Sequence, residues 1–185
     1  HGNLMVRAGG RMLFAQTKAT GALTYYASFR QPADWLARQG IVAADHTALV
    51  QLLVGEFADW AELFRDAFRA TQEFALLPMY RLPLEAFRTR VVTRPLTLIG
   101  DAAHVMPPFA GVGVNIGLLD ALTLADNLTN GHFATVEAAI GAYERAMYAY
   151  AHEAQEGTAE AELNIHSDKS DAELLAERAA HNQTL

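Results

Sequence analysis

Residues 96–117 constrain this 185-residue chain more than any other segment. They read Leu-Thr-Leu-Ile-Gly-Asp-Ala-Ala-His-Val-Met-Pro-Pro-Phe-Ala-Gly-Val-Gly-Val-Asn-Ile-Gly. The pattern predicts a short, buried apolar strand over 96–99, then Gly100-Asp101, a proline-stiffened loop and a helix over 114–128. This order would place one carboxylate and the positive end of a helix beside the same ligand. Such a ligand should carry both hydroxyl groups and negative charge.

Charge and composition exclude several classes of function. Lys and Arg number 14 against 21 Asp and Glu, a net charge of −7, and no basic stripe is present, so nucleic acid and anionic membrane surfaces are poor partners. No apolar run approaches the ~20 residues of a membrane span. The histidines lack metal-ligand spacing, so we expect no metal site. The absence of cysteine excludes disulfides and is typical of a reducing compartment, and we expect a cytoplasmic protein.

Strand patterns come first in the chain. Residues 3–30 favour strands, with 11–15 and 22–29 joined by a turn at 18–21 as a hairpin. An edge strand is predicted over 74–84, where Pro78 and Pro83 interrupt an apolar stretch. Together with the strand at 96–99 and the helices predicted from apolar spacing, these strands indicate an α+β or α/β fold with a packed core.

Helical spacing of apolar residues predicts several helices. A short helix should begin at Pro32, a longer one at Asp45, and a third after a capping box formed by Asp59 and Glu62. A long helix is predicted over about 134–163. A further capping box, Ser170 with Glu173, should begin a last helix, and the polar tail after Arg178 should fray.

The chemistry of the 100–115 segment follows from its residue types. A carboxylate after a strand end, as Asp101 is, can accept hydrogen bonds from sugar-like hydroxyls. Gly111 and Gly113 allow unusual backbone angles and a close approach to a flat ligand. The spacing of glycines over 111–117 differs from the Rossmann fingerprint. The full string, Gly100-Asp101-Ala102-Ala103-His104 followed by Pro107-Pro108-Phe109-Ala110-Gly111-x-Gly113-x-Asn115, is far more specific than a glycine pair.

That string resembles the second flavin-binding motif of the FAD-dependent aromatic hydroxylases, the class A flavoprotein monooxygenases. Within that family it is most similar to the tetracycline-inactivating monooxygenases. The resemblance covers most of the chain and is densest over 94–156. It includes Gly21-Ala22-Leu23, Glu56-Phe57-x-Asp59-Trp60, Asp120-Ala121-Leu122, Asp126-Asn127-Leu128 and Glu153-Ala154-Gln155-Glu156.

The resemblance implies an enzyme that uses FAD, NADPH and O₂ to hydroxylate an aromatic or polycyclic small molecule through a hydroperoxyflavin. A tetracycline-like antibiotic, and with it antibiotic resistance, is one such substrate. Asp101 matches the residue that binds the ribityl hydroxyls of FAD. Phe109 and Gly10 match positions at the substrate, and Ile165 and His166 fall near it. No residue is implied as a catalytic acid, base or nucleophile. The loop positions that match the flavin-ring contacts are Pro108, Gly111, Val112, Gly113, Val114 and Asn115.

The resemblance also implies a domain organisation. Residues 1–94 match part of the substrate-binding domain, and 95–185 match the C-terminal part of the FAD-binding domain with its C-terminal helices. The family's Gly-x-Gly-x-x-Gly segment has no counterpart here, so the chain is expected to be the C-terminal half of a two-domain enzyme that is a monomer when complete. Alone, the chain should be inactive. Two alternatives stay open: a flavin-dependent reductase or epoxidase of the same superfamily, and an inactive truncated remnant.

Overall fold

The computed structural model describes residues 2–170, 172–174 and 176. The fold is α+β, with strands at the start of the chain and helices after them, as the sequence predicts. Its elements are β1 (Asn3–Ala8), β2 (Arg11–Thr17), β3 (Leu23–Phe29), α1 (Trp35–Arg38), α2 (His46–Glu56), α3 (Glu62–Ala70), α4 (Glu85–Arg88), α5 (Asp101–His104), a 3₁₀ turn (Pro108–Ala110), α6 (Gly113–Thr129) and α7 (Val136–Ile165).

The three strands form one antiparallel sheet in the order β1-β2-β3. Ala8 pairs with Arg11, so a two-residue Gly9-Gly10 turn joins β1 to β2. The predicted hairpin between β2 and β3 is confirmed, and its turn is closed by a hydrogen bond of 2.9 Å from the Gly21 N–H to the Lys18 carbonyl. The central strand β2 buries Met12, Leu13 and Ala15. Because neighbouring side chains of a strand point to opposite faces, the sheet is covered on both faces at Met12 and Leu13.

The chain divides into two compact units. One unit is Gln31–Pro78 and contains α1, α2 and α3. Its buried core is aromatic: the ring of Phe57 lies 4.9 Å from that of Trp60 and 5.0 Å from that of Phe68. Edge-on and tilted rings at these distances are favourable arrangements for aromatic pairs.

Helix starts in this unit agree with the sequence at one position and differ at two. The helix predicted from Asp45 is confirmed as α2, and Asp45 caps it, because its carboxylate accepts the Ala48 N–H at 2.9 Å. The short helix α1 begins at Trp35 rather than at Pro32, which lies in the preceding turn and accepts the Trp35 N–H. The capping box of Asp59 with Glu62 is wrong. Ala61 is the N-cap of α3, and the Glu62 carboxylate pairs with Arg65 and Arg69 along the helix.

The second unit combines residues 2–30 with the chain from Met79 onward. The long helix α7 is its centre, and its buried residues Tyr143, Met147 and Ala151 pack against α4, α5 and the residues before them. The other buried members of this core are Leu84, Phe87 and Ala103. The predicted helices over 114–128 and 134–163 are confirmed as α6 and α7, with ends displaced by one or two residues.

Two predicted strands are absent from the described residues. Residues 74–84 have no strand structure, since Pro78 and Pro83 interrupt the backbone there. The backbone groups of Leu82 find other partners instead. Its N–H donates to the Val105 carbonyl at 3.0 Å, and its carbonyl accepts the Gln155 side-chain amide at 2.9 Å.

Residues 96–99 form no strand within the described chain, and the prediction of a buried strand is wrong there. Leu96 is 64% exposed and Leu98 is 44% exposed. Side chains hold the segment in place of a neighbouring strand. The Tyr143 hydroxyl donates to the Leu98 carbonyl at 2.9 Å, and Arg90 donates to the Leu96 carbonyl at 2.9 Å.

The end of the described chain agrees with the sequence. The Ser170 hydroxyl donates to the Glu173 carboxylate at 2.7 Å and accepts the Glu173 N–H at 3.3 Å, which confirms this capping box. The tail after Arg178 lies outside the described residues.

No helix in the described part of the chain combines the length and the apolar character that a membrane crossing requires. The functional boundary between 94 and 95 stays a prediction.

Candidate flavin site

Asp101 is the first residue of the short helix α5 and is exposed. Gly100 precedes it with a φ of +60°, a backbone conformation that a side chain would strain. Its carbonyl accepts the N–H groups of Ala103 and His104 at 2.9 and 3.0 Å, which fixes the turn. No side chain of the described residues hydrogen-bonds the Asp101 carboxylate, so it is available to a ligand.

The loop after α5 is stiffened by its prolines. Pro107 is buried, and Pro108 begins the 3₁₀ turn that also contains Phe109. Gly111 ends this turn in the left-handed conformation, with φ +68° and ψ +18°. A Cβ at Gly111 would meet no atom within 4 Å, so backbone conformation rather than space requires glycine here. The loop therefore leads the chain into α6 along one fixed path.

The N-terminus of α6 presents free backbone donors. Its first hydrogen bond runs from the Ile116 N–H to the Val112 carbonyl at 3.0 Å, and no side chain caps the helix. The N–H groups of Gly113, Val114 and Asn115 precede that bond, at the end where the helix dipole carries about half a positive charge. Val114 is 78% exposed and Asn115 is also exposed.

A backbone contact connects the two halves of this candidate site. A Cβ at Gly117, one turn into α6, would lie 3.4 Å from the Cα of Gly100. The residue before Asp101 therefore packs directly on α6. The contact gives a structural neighbour to the third glycine of the 111–117 series, to which the sequence gives no role.

Asp120, which the sequence places in the resemblance without a role, is fully buried on α6 and contacts the same turn. Its Oδ2 accepts the Gly100 N–H and the His104 Nε2–H, each at 2.6 Å, and its Oδ1 accepts the Tyr150 hydroxyl at 2.6 Å. Burial and the bond to Asp120 raise the pKa of Tyr150 above its ordinary value, so the hydroxyl stays a donor. One signal was available, an acidic residue among the apolar residues of a predicted helix.

A second cluster brings together the residues expected at the substrate. The Phe109 ring meets the His166 ring edge-on at 5.1 Å, at the end of α7. A Cβ at Gly10 would lie 3.3 Å from the His166 carbonyl oxygen. Ser28 of β3 lies 2.7 Å from Nε2 of the same histidine. Phe109 and Gly10 thus both contact His166, a proximity that the sequence alone does not indicate.

The hydrogen bonds of His166 define its tautomer. Nδ1 lies 3.0 Å from the Glu162 carbonyl, which can only accept, so Nδ1 carries the proton and Nε2 accepts from the Ser28 hydroxyl. Burial lowers the pKa of His166 below its ordinary value, which outweighs the bond to Glu162. The ring is therefore neutral at pH 7 and joins β3 to α7 without a charge.

Known proteins are similar to parts of this chain. Residues 78–158, less than half of the chain, match a family described as an FAD binding domain. Monooxygenase asqM of Emericella nidulans is 40% identical over 55% of this chain and 28% of its own length. Monooxygenase penA of Penicillium thymicola is 37% identical over 39% of this chain and 18% of its own length. Kynurenine 3-monooxygenase of Xanthomonas campestris is 36% identical over 46% of this chain and 18% of its own length.

These similarities support the flavin-dependent aromatic hydroxylases as the class of protein that this chain resembles. The FAD binding match includes Asp101, the loop and the start of α6. The chain spans 28% or less of the length of these three relatives, so the activity of a whole protein is a matter for proposal.

Proposed function

We propose that this chain is the C-terminal part of an FAD- and NADPH-dependent monooxygenase and that residues 100–115 hold the flavin. One observation carries the proposal. Gly100, the residue before the exposed Asp101, packs on α6 at Gly117, one turn after the free N–H groups that begin the helix. The match to an FAD binding domain over 78–158 supports it.

The donor and acceptor chemistry of the site fits a flavin. Asp101 would accept hydrogen bonds from the ribityl hydroxyls, which a free, exposed carboxylate can do without losing another partner. The N–H groups of Gly113, Val114 and Asn115, with the helix dipole, would stabilise negative charge on the reduced ring. Pro108, Gly111 and Val112 would form the wall of the loop that lies against the ring.

The flavin would supply the redox chemistry and the activation of O₂. In the overall reaction, NADPH supplies two electrons, one atom of O₂ enters the substrate as a hydroxyl group, and the other leaves as water. The chain would orient the ring and exclude water from it.

The cluster around His166 is the proposed substrate wall. Phe109 offers an aromatic face to an aromatic or polycyclic compound such as a tetracycline-like antibiotic, and the Gly9-Gly10 turn approaches from the sheet. The complete protein would be a two-domain, monomeric, cytoplasmic enzyme, with residues 1–94 in the substrate-binding domain and 95–185 in the FAD-binding domain.

Flavin binding by the complete protein that contains this chain tests the proposal. Asp101→Ala should weaken FAD binding by roughly tenfold or more, since hydrogen bonds to a charged group contribute about 1.5–3 kcal/mol. Asp126→Ala is the matched control: it lies near the other end of α6, beside Asn130, and should bind FAD like the wild type. NADPH oxidation should require O₂, and one labelled oxygen atom should appear in the product.

Two results would refute the proposal. One is a wild-type protein that binds no flavin. The other is equal FAD affinity in Asp101→Ala and the wild type. Oxidation of NADPH without O₂, coupled to reduction of the substrate, would instead favour the reductase alternative.

A further inference from the structure

Asp120 is a fully buried acid, and among its hydrogen-bond partners His104 is the group that can carry a positive charge. Its carboxylate is fully buried, and its three partners are a backbone N–H, an imidazole and a phenol. Burying a carboxylate is costly unless hydrogen bonds compensate it. Here three short bonds do so, and each connects α6 to a different element: the Gly100 turn, helix α5 and helix α7.

The bond to Gly100 acts on the residue that precedes Asp101. A backbone N–H held by a carboxylate at 2.6 Å fixes the peptide plane of that turn relative to α6. His104, at the other end of α5, donates Nε2–H to the same oxygen. Both ends of the four-residue helix that begins with Asp101 are therefore fastened to one side chain.

Gly117 fixes the distance between the same two elements. Its missing side chain lets α6 approach the Cα of Gly100, and a Cβ there would already be 3.4 Å away, at the limit of contact. Asp120 follows on the next turn of the helix and faces the same turn through its carboxylate. Together the two residues set the register of Asp101 against the N-terminus of α6.

We propose that Asp120, assisted by Gly117, is a positioning residue for the flavin site. It would touch no part of the cofactor. It would hold the Gly100-Asp101 turn so that the Asp101 carboxylate and the free N–H groups of α6 face one ligand. The inference rests on the proposed function, because it takes the ligand to be FAD.

The test measures FAD dissociation constants for the complete protein and its variants. Asp120→Asn keeps the size of the side chain, but its amide oxygen can accept only part of what the carboxylate accepts. We expect FAD to bind about 10–100-fold more weakly, the range found when outer groups that orient a ligand are removed. Asp126→Asn, an exposed acid on the same helix, is the control and should bind FAD as the wild type does.

A double variant separates positioning from general loss of structure. If Asp120 acts through Asp101, its effect should largely vanish once the Asp101 carboxylate is removed, so Asp101→Ala/Asp120→Asn should bind FAD about as weakly as Asp101→Ala. The melting temperature should fall in Asp120→Asn whether or not Asp101 is present. If Asp120 had only a structural role, the loss of FAD affinity in the double variant would be the product of the losses in the two single variants.

A second variant keeps the inference testable if Asp120→Asn does not fold. Gly117→Val adds a side chain that must displace the Gly100 turn, and it should weaken FAD binding in the wild type but not in Asp101→Ala. Unchanged FAD affinity in a folded Asp120→Asn, or multiplicative losses with Asp101→Ala in either variant, would overturn the inference alone. A wild-type protein without flavin would overturn the proposed function and the inference with it.

Discussion

Arg90 and Glu144 form an ion pair, and replacing Arg90 should destabilise the folded protein more than replacing Glu144. The Glu144 side chain is 2% exposed and that of Arg90 is 32% exposed, with 2.6 Å between Nη1 and Oε1. Oε1 also accepts the Thr97 hydroxyl at 2.7 Å, whereas Oε2 is buried without a hydrogen-bond partner in the described chain. The carboxylate depends on Arg90, but the guanidinium can reach water.

The magnitudes follow from these exposures. Arg90→Met leaves a buried carboxylate without its cation, a change that typically costs about 3–5 kcal/mol, and partial access to water places our expectation near about 3 kcal/mol. Glu144→Met removes the buried charge itself and should cost only about 1 kcal/mol, mainly the Thr97 hydrogen bond. The double variant should be about as stable as Glu144→Met, so the second change restores most of the loss.

Urea denaturation followed by circular dichroism measures the effect. With a slope of roughly 1–3 kcal/mol/M, Arg90→Met should lower the midpoint by about 1–3 M. Arg88→Met is the matched control: its pair with Glu85 is exposed on both sides, so it should cost less than about 1 kcal/mol. The reasoning would be refuted if Glu144→Met were as destabilising as Arg90→Met.

Three further outcomes are expected. Because burial lowers the pKa of His166 below the ordinary value of 6.5, the unfolded chain binds a proton at a higher pH than the folded one. Stability should therefore fall as the pH drops from 6.5 towards the lowered pKa. In His166→Gln, the melting temperature should change less with pH over this range. Asp45→Ala should cost about 1 kcal/mol in urea unfolding, because it removes the cap of α2, and Asp45→Ser should restore most of it. Tyr143→Phe should cost roughly 1 kcal/mol and speed amide exchange at residues 96–99, since its hydroxyl holds the Leu98 carbonyl; unchanged exchange would contradict that role.

Local signals in the sequence predicted the elements that depend on local chemistry. The hairpin of β2 and β3, the helix start at Asp45 and the apolar spacing of α6 and α7 all depend on signals within a few residues, and the structure agrees with them. The segment 96–99 shows the limit. Its apolar residues favour a strand, but a strand needs a neighbour, and within the described residues side chains of α7 and Arg90 take that place.

The candidate site shows the same division between local and tertiary information. The motif identified Asp101 and the loop, because their residue types carry the chemistry directly. Asp120 received no role from the sequence because that role depends on Gly100 and His104, 20 and 16 positions away, and only the fold brings them together. His166 likewise gains its partners, Ser28 and Phe109, from the sheet and from the loop.

The fastening of Gly100 to α6 also determines where this protein can vary. The Gly100 turn is anchored on α6 through Asp120, independently of the loop between Val105 and Val112. A substitution within that loop should therefore leave the spacing between the Gly100 turn and α6 unchanged.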